Sequence, residues 1–192
     1  MKPTLLLICI LLSASLITAC HPEMSHHHSD SEEPSFPANK SAIEDVTIPL
    51  INTKGEKSGT AVLSETFKGI NVHVIAKGLA PGEKAIHLHE KGICKIPDFM
   101  TAGGHFNPDH KMHGLKNPKG PHAGDMLNIL VPENGKVDVN VTAPFVTLEE
   151  GKKNSLLDED GSALMIHEKA DDYETDPAGN AGKRIICGVI KK

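Results

Sequence analysis

The chain has no tryptophan, a single tyrosine (Tyr173) and five phenylalanines in 192 residues. A core built around large aromatic rings is therefore excluded. Apolar packing has to come from Val, Ile and Leu, which suit strands. No apolar run reaches the roughly 18 residues of a membrane-spanning helix. A helical repeat of apolar positions is also missing. The formal charge is −5, so no cationic excess points to nucleic acid, and no nucleic-acid partner is expected. The length suits one domain with a terminal extension.

Cysteine is scarce too, with four in all. Cys9 lies in a short apolar stretch that follows Lys2, the pattern of an export signal. The stretch ends at Ile17-Thr18-Ala19-Cys20. Small residues directly before a cysteine resemble the lipobox of bacterial lipoproteins, in which that cysteine is lipidated. The expected division is a signal peptide over 1–19, a tether over 20–41 and a folded domain over 42–192. The plainer alternative is an ordinary signal peptide with an incidental cysteine. The expected location is outside the cytoplasm, on the bacterial cell membrane, held by lipid on Cys20. Export leaves Cys94 and Cys187, an even pair in a compartment that permits disulfides. Two free buried thiols are the other reading.

The tether is polar, with Pro22, Pro34 and Pro37. It cannot bury enough apolar area to offset the entropy of ordering, so disorder is expected. Its His21, His26, His27 and His28 form a metal-binding composition, or merely a polar linker. Strand patterns then follow at 43–51, 57–66, 69–77, 84–90, 125–131, 136–143, 163–167 and 184–191. The 132–135 stretch, Pro-Glu-Asn-Gly, reads as a hairpin turn. Residues 144–161 read as loop. Two long loops remain, 87–125 and 168–183. The expected class is all-β, an eight-stranded antiparallel barrel or sandwich.

The first long loop carries the chemistry. His87 and His89 stand as His-x-His on a strand and so face one side. His105, His113 and His122 follow, and Asp125 closes the set. Between them lie Pro97, Gly103, Gly104, Pro108, Gly114, Pro118, Gly120, Pro121 and Gly124. Neither helix nor long strand tolerates that composition. So long a loop needs something to order it, and a metal would do so. Imidazoles with one carboxylate suit zinc or copper.

The segments HLHEKGIC, GGHFNP, KMHG, HAGD, IHEKADD and GNAGKRIICGVI resemble those of the copper/zinc superoxide dismutases across residues 42–192. That family is a well-known example of the β-sandwich architecture, so once the resemblance is drawn the fold class is no independent inference. The resemblance implies a Greek-key barrel with a metal loop and an electrostatic-type loop. It implies one copper and one zinc per chain. His87, His89, His105 and His167 would bind copper. His105, His113, His122 and Asp125 would bind zinc, with His105 bridging. Asp171 would hydrogen-bond one ligand of each site, although Asp172 beside it is nearly as plausible from chemistry alone. Arg184 would stand beside the copper, and Cys94 would pair with Cys187.

The implied activity is conversion of two superoxide anions and two protons to O2 and hydrogen peroxide. In the family mechanism copper cycles, and His105 leaves it to take up a proton. Ala178 stands where many relatives have a channel-lining threonine. Two other functions compete: a lipoprotein that sequesters or delivers copper and zinc, and a structural domain with zinc only. The copper ligand set disfavours the second of these. Arg184 disfavours the first, since storage needs no anion-guiding charge. The family includes monomers and homodimers, and the sequence selects neither.

Overall fold

The computed structural model describes residues 43–192. The signal, Cys20 and the four tether histidines lie outside the described residues. Nine strands follow in order: β1 Val46–Asn52, β2 Lys57–Thr66, β3 Gly69–Lys77, β4 Gly82–Lys84, β5 Ile86–His89, β6 Ile129–Val131, β7 Lys136–Ala143, β8 Ser162–His167 and β9 Arg184–Ile190. Among the described residues the one helical element is a 3-10 turn, Met100–Ala102.

Seven strands form one sheet in the order β5-β8-β9-β1-β2-β3-β7, and β4 pairs with β6. Every pairing of named strands is antiparallel. The turn Pro132–Gly135 joins β6 to β7, and β4 runs into β5 across Ala85, so the sheet curls round on itself. Counted as one interrupted strand, β4 and β5 bring the total to the expected eight, in Greek-key order. The interruption has a physical cause. Ala85 gives its N–H to the Lys169 carbonyl and accepts from His167 N–H, at 2.8 and 2.9 Å. Its N–H is thus diverted to the second long loop, while its carbonyl stays with the end of β8.

Alternation decides which side chains go inside. On β3, Ile70, Val72, Val74 and Ala76 are buried, while Asn71, His73, Ile75 and Lys77 look outward. Pro49 interrupts β1 where no β9 pairing is made, since β9 meets β1 only at Ile51 and Asn52. β8 is different, because all six of its residues are buried. Leu164 and Ile166 enter the barrel core. Ala163 and Met165 belong to a second apolar cluster with Phe99, Ala102 and Cys187. Both faces of β8 are therefore covered, one by the barrel interior and the other by the metal loop.

The Cys94–Cys187 disulfide fastens that loop to β9 across 93 residues of chain, with Cα atoms 5.9 Å apart. Expected strand 125–131 is shorter than its pattern, since only 129–131 pair with β4. Residues 124–125 are drawn instead to β5.

Closing a loop of this length stabilises by at most about 4–5 kcal/mol on the chain-entropy account. Cys187→Ser is expected to lower the thermal midpoint and to open the metal loop to proteolysis. A midpoint and cleavage pattern like those of the parent would contradict this.

Candidate metal centre

The metal loop returns to β5 twice. Phe106 N–H donates to the Leu88 carbonyl at 2.8 Å, and Leu88 N–H donates to the Gly124 carbonyl at 2.9 Å. His105 thereby sits opposite His89, and Asp125 opposite His87. The pleat sends Ile86 and Leu88 into the barrel core. His87 and His89 go to the other face, which also carries Met165 and Ala163 as their partners on β8. His167, two residues beyond Met165, shares that face.

The structure brings these residues into two buried groups of four. His87, His89, His105 and His167 form one, and His105, His113, His122 and Asp125 the other. In each group the four potential ligand atoms lie within 4.8 Å of one another. His105 belongs to both. His110, in the same loop, is exposed and joins neither.

Hydrogen bonds fix which nitrogen of each ring carries a proton. His87 Nε2 faces the Asp171 carboxylate at 2.9 Å. His89 Nδ1 donates to the Gly103 carbonyl at 3.1 Å, and His167 Nδ1 lies 3.5 Å from the Gly182 carbonyl. The opposite nitrogens are left as lone pairs. His87 Nδ1, His89 Nε2, His105 Nε2 and His167 Nε2 are all buried without a hydrogen-bond partner. Buried polar atoms are seldom left so. Four converging lone pairs fit a soft or borderline cation such as copper.

The second group fits zinc. Asp125 Oδ1 lies 2.8 Å from His105 Nδ1, 3.0 Å from His113 Nδ1 and 3.4 Å from His122 Nδ1. His122 Nδ1 and His105 Nδ1 are 3.4 Å apart. Zinc–ligand bonds near 2.0 Å imply tetrahedron edges of about 3.3 Å. Asp125 is itself fixed, because its Oδ2 accepts from Gly114 and His122 N–H at 2.9 and 3.0 Å.

A third group, His87, His113 and Asp171, is also close enough to suggest an ion. It is better described as a hydrogen-bonded bridge. Asp171 Oδ2 meets His87 Nε2, and its Oδ1 meets His113 Nε2 at 3.0 Å. These nitrogens carry protons, while the other nitrogen of each ring faces a group of four. Asp171 thus joins one ring from each group. Asp172 points elsewhere, accepting from Glu174 and Thr175 N–H and from Asn180 within its own loop. Those amides hold its carboxyl down at about 2.

Arg184 stands across from His167 at the end of β9. Its Nη1 donates to the Phe99 carbonyl at 2.9 Å and its Nη2 to the Gly103 carbonyl at 2.6 Å. Gly103 therefore holds both Arg184 and His89. Sequence reasoning missed that carbonyl, and also Asn128, Tyr173 and Asp176. Asn128 clasps the Asp171 backbone in both directions, at 2.9 and 3.0 Å. Asp176 accepts from His113 N–H at 2.6 Å. None of these contacts follows a spacing rule that a sequence displays.

Burial governs the ring basicities. It pushes His105 down to about 3 and His167 to about 2, and it lowers His89 as well. For His113 burial also acts downward, but Asp125 and Asp171 outweigh it and raise the ring to about 9. Asp171 is held below the ordinary carboxyl range by His113 and His87, against burial.

A family model described as copper/zinc superoxide dismutase matches residues 57–190. The chain is 59% identical over 143 residues to superoxide dismutase (Cu-Zn) 2 of Aquifex aeolicus, covering 74% of this chain and 84% of that protein. Among solved structures, a SOD-like protein from Bacillus subtilis matches with a TM-score of 0.73 at 48% identity, over 75% of this chain and 97% of that one. The Cu/Zn superoxide dismutase from Brucella abortus matches with a TM-score of 0.64 at 31% identity, over 77% and 99%.

The metal-free protein is expected to lose stability in acid. Folded His105 and His167 stay neutral, whereas the unfolded chain protonates them below about 6.5. Stability is then lost as pH falls from that value toward about 3 and 2. His113 acts in the opposite sense: its contribution is complete below 6.5 and disappears as pH rises through about 9. The urea midpoint of metal-free protein should therefore be lower at about pH 4.5 than at about pH 6.5. Equal midpoints would contradict the burial of these rings.

Proposed function

The chain belongs to the copper/zinc superoxide dismutase family, and on that premise we propose that His87, His89, His105 and His167 hold copper while His105, His113, His122 and Asp125 hold zinc. The activity is superoxide dismutation, in which two superoxide anions and two protons give O2 and hydrogen peroxide. We propose one ion of each metal per chain. Copper supplies reversible one-electron transfer when bound, and zinc supplies fixed charge without redox change.

The chain's own residues do the rest. Arg184 offers a cation to a small anion. The Phe99 and Gly103 carbonyls fix its guanidinium, so the charge is pre-oriented when substrate arrives. His105 is the ring that can exchange a proton, at Nε2, because its Nδ1 is turned into the group it forms with His113, His122 and Asp125, where zinc would be held. Asp171 keeps His87 and His113 from rotating. Met165, Phe99 and Ala102 are buried around the disulfide and keep bulk water from the far side of the copper ligands.

The observation that carries this reading is the set of four buried ring nitrogens without partners. A zinc-only domain would leave all four unsatisfied. A storage protein would have no use for Arg184 in its fixed position. For location, the pattern before Cys20 supports an exported form anchored by lipid.

Two substitutions separate the roles. His167→Ala should abolish copper retention and turnover and keep zinc near one per chain; turnover that survives would remove the copper assignment. Arg184→Ile should lower turnover and flatten its dependence on ionic strength, and a salt curve like the parent's would place the attraction elsewhere. Anchoring is checked by Cys20→Ala, which should move the protein from the membrane pellet to the soluble fraction. Unchanged pelleting would end the lipoprotein reading.

A further inference from the structure

Tyr173 lies in the second long loop, touches no ring of either cluster, and is nonetheless tied to both. Its N–H donates to Asp171 Oδ1 at 2.6 Å, the same oxygen that meets His113 Nε2. Its hydroxyl oxygen accepts from Asn128 N–H at 2.9 Å, and Asn128 is the residue that clasps the Asp171 backbone. Its carbonyl accepts from Lys116 N–H in the metal loop at 3.0 Å. A Cβ placed on Gly114 would run into that same carbonyl. Gly114 in turn gives its N–H to Asp125 Oδ2. Tyr173 thus reaches Asp171 directly, and Asp125 through one intervening residue.

The backbone is unusual as well. Tyr173 has φ of 67°, left-handed for a bulky aromatic residue. Such conformations persist where surrounding contacts over-determine them. Here four groups do so: the Asp171 carboxylate, Asn128 N–H, Lys116 N–H and the packed Gly114. Lys116 Nζ also sits 5.3 Å from the ring centre.

We propose that Tyr173 is a positioning residue for the metal pair, clamping Asp171 from one loop and the Gly114–Lys116 segment from the other so that zinc binding and loop closure become one event. This rests on the zinc and copper assignments above. The hydroxyl is the decisive part. Without it Asn128 N–H loses its partner, and the clasp on Asp171 loosens. His113 and His87 are then oriented less firmly, one at each metal.

Tyr173→Phe removes only that hydroxyl. In the full chain, zinc affinity measured by competition with a chelator is expected to fall by up to about tenfold, the low end for direct partners of metal ligands, because the hydroxyl acts through Asn128 and Asp171. The electron paramagnetic resonance spectrum of the copper-loaded variant should broaden or shift, since His87 is one of the rings concerned. Lys116→Ala keeps the backbone N–H and should leave both readouts as in the parent. A merely structural tyrosine would lower the thermal midpoint and leave zinc affinity and spectrum unchanged, and that result overturns the proposal.

A second measurement needs no variant. With no tryptophan and one tyrosine in the chain, intrinsic tyrosine emission reports Tyr173 alone. Zinc added to metal-free protein should change that emission with the same midpoint as zinc binding. Emission that ignores zinc while zinc binds would also overturn the proposal. A parent protein that binds no zinc at all would instead remove the metal assignment beneath it.

Discussion

Six imidazoles and two carboxylates lie buried between the outer face of a barrel and the two loops that cover it. Burial of that many polar groups is costly unless each finds a partner. Asp125 and Asp171 supply most of the partners, the Gly103 and Gly182 carbonyls take two more rings, and His122 Nε2 faces Asp176 at 4.0 Å. What the protein leaves over is four ring nitrogens that aim at one another. Lone pairs repel, so their convergence makes sense only with a cation between them. The fold, the loops and the chemistry all follow from satisfying that demand.

Two ties fasten the covering loops to the barrel and to each other. The disulfide holds residue 94 to β9, and the nine residues that follow lead to Gly103, whose carbonyl orients both Arg184 and His89. His89 and Arg184 therefore share one backbone atom. The second tie is Asp171, which links a ring of one cluster to a ring of the other. The bridge between the two clusters is one carboxylate wide. The acids of the second loop also prove to be less of a surface field than their number suggests. Asp171 is buried against two histidine rings, exposed Asp176 is engaged by His113 N–H, and Asp172 closes its own turn.

Much of the barrel was legible from alternation alone. Ile70, Val72, Val74 and Ala76 occupy the inward positions that the pattern of β3 implied. The Pro-Glu-Asn-Gly turn falls where expected but closes no hairpin, since the strands it joins pair elsewhere, β6 with β4 and β7 with β3. The misreadings have physical causes. Residues 84–90 have an unbroken strand pattern, yet Ala85 gives its N–H to Lys169 in the other loop. Residues 125–128 look like strand, yet Asp125 is pulled aside to β5. The residues that cluster, six histidines with Asp125, stood out in the sequence because ligand chemistry restricts residue type. The resemblance pointed to Asp171, whereas chemistry alone could not separate it from Asp172, because adjacent acids differ only in which way the backbone turns. Asn128, Tyr173 and the carbonyl of Gly103 act through backbone atoms, which every residue possesses, so composition gives no sign of them.

The most direct measurement is anomalous scattering from one crystal of the copper- and zinc-loaded protein, recorded on both sides of each absorption edge. The account predicts two separate peaks per chain. The copper peak should lie among His87 Nδ1, His89 Nε2, His105 Nε2 and His167 Nε2. The zinc peak should lie among His105 Nδ1, His113 Nδ1, His122 Nδ1 and Asp125 Oδ1. A chain with zinc at the second position and nothing among the four unpartnered nitrogens, or with copper bound elsewhere, would contradict it.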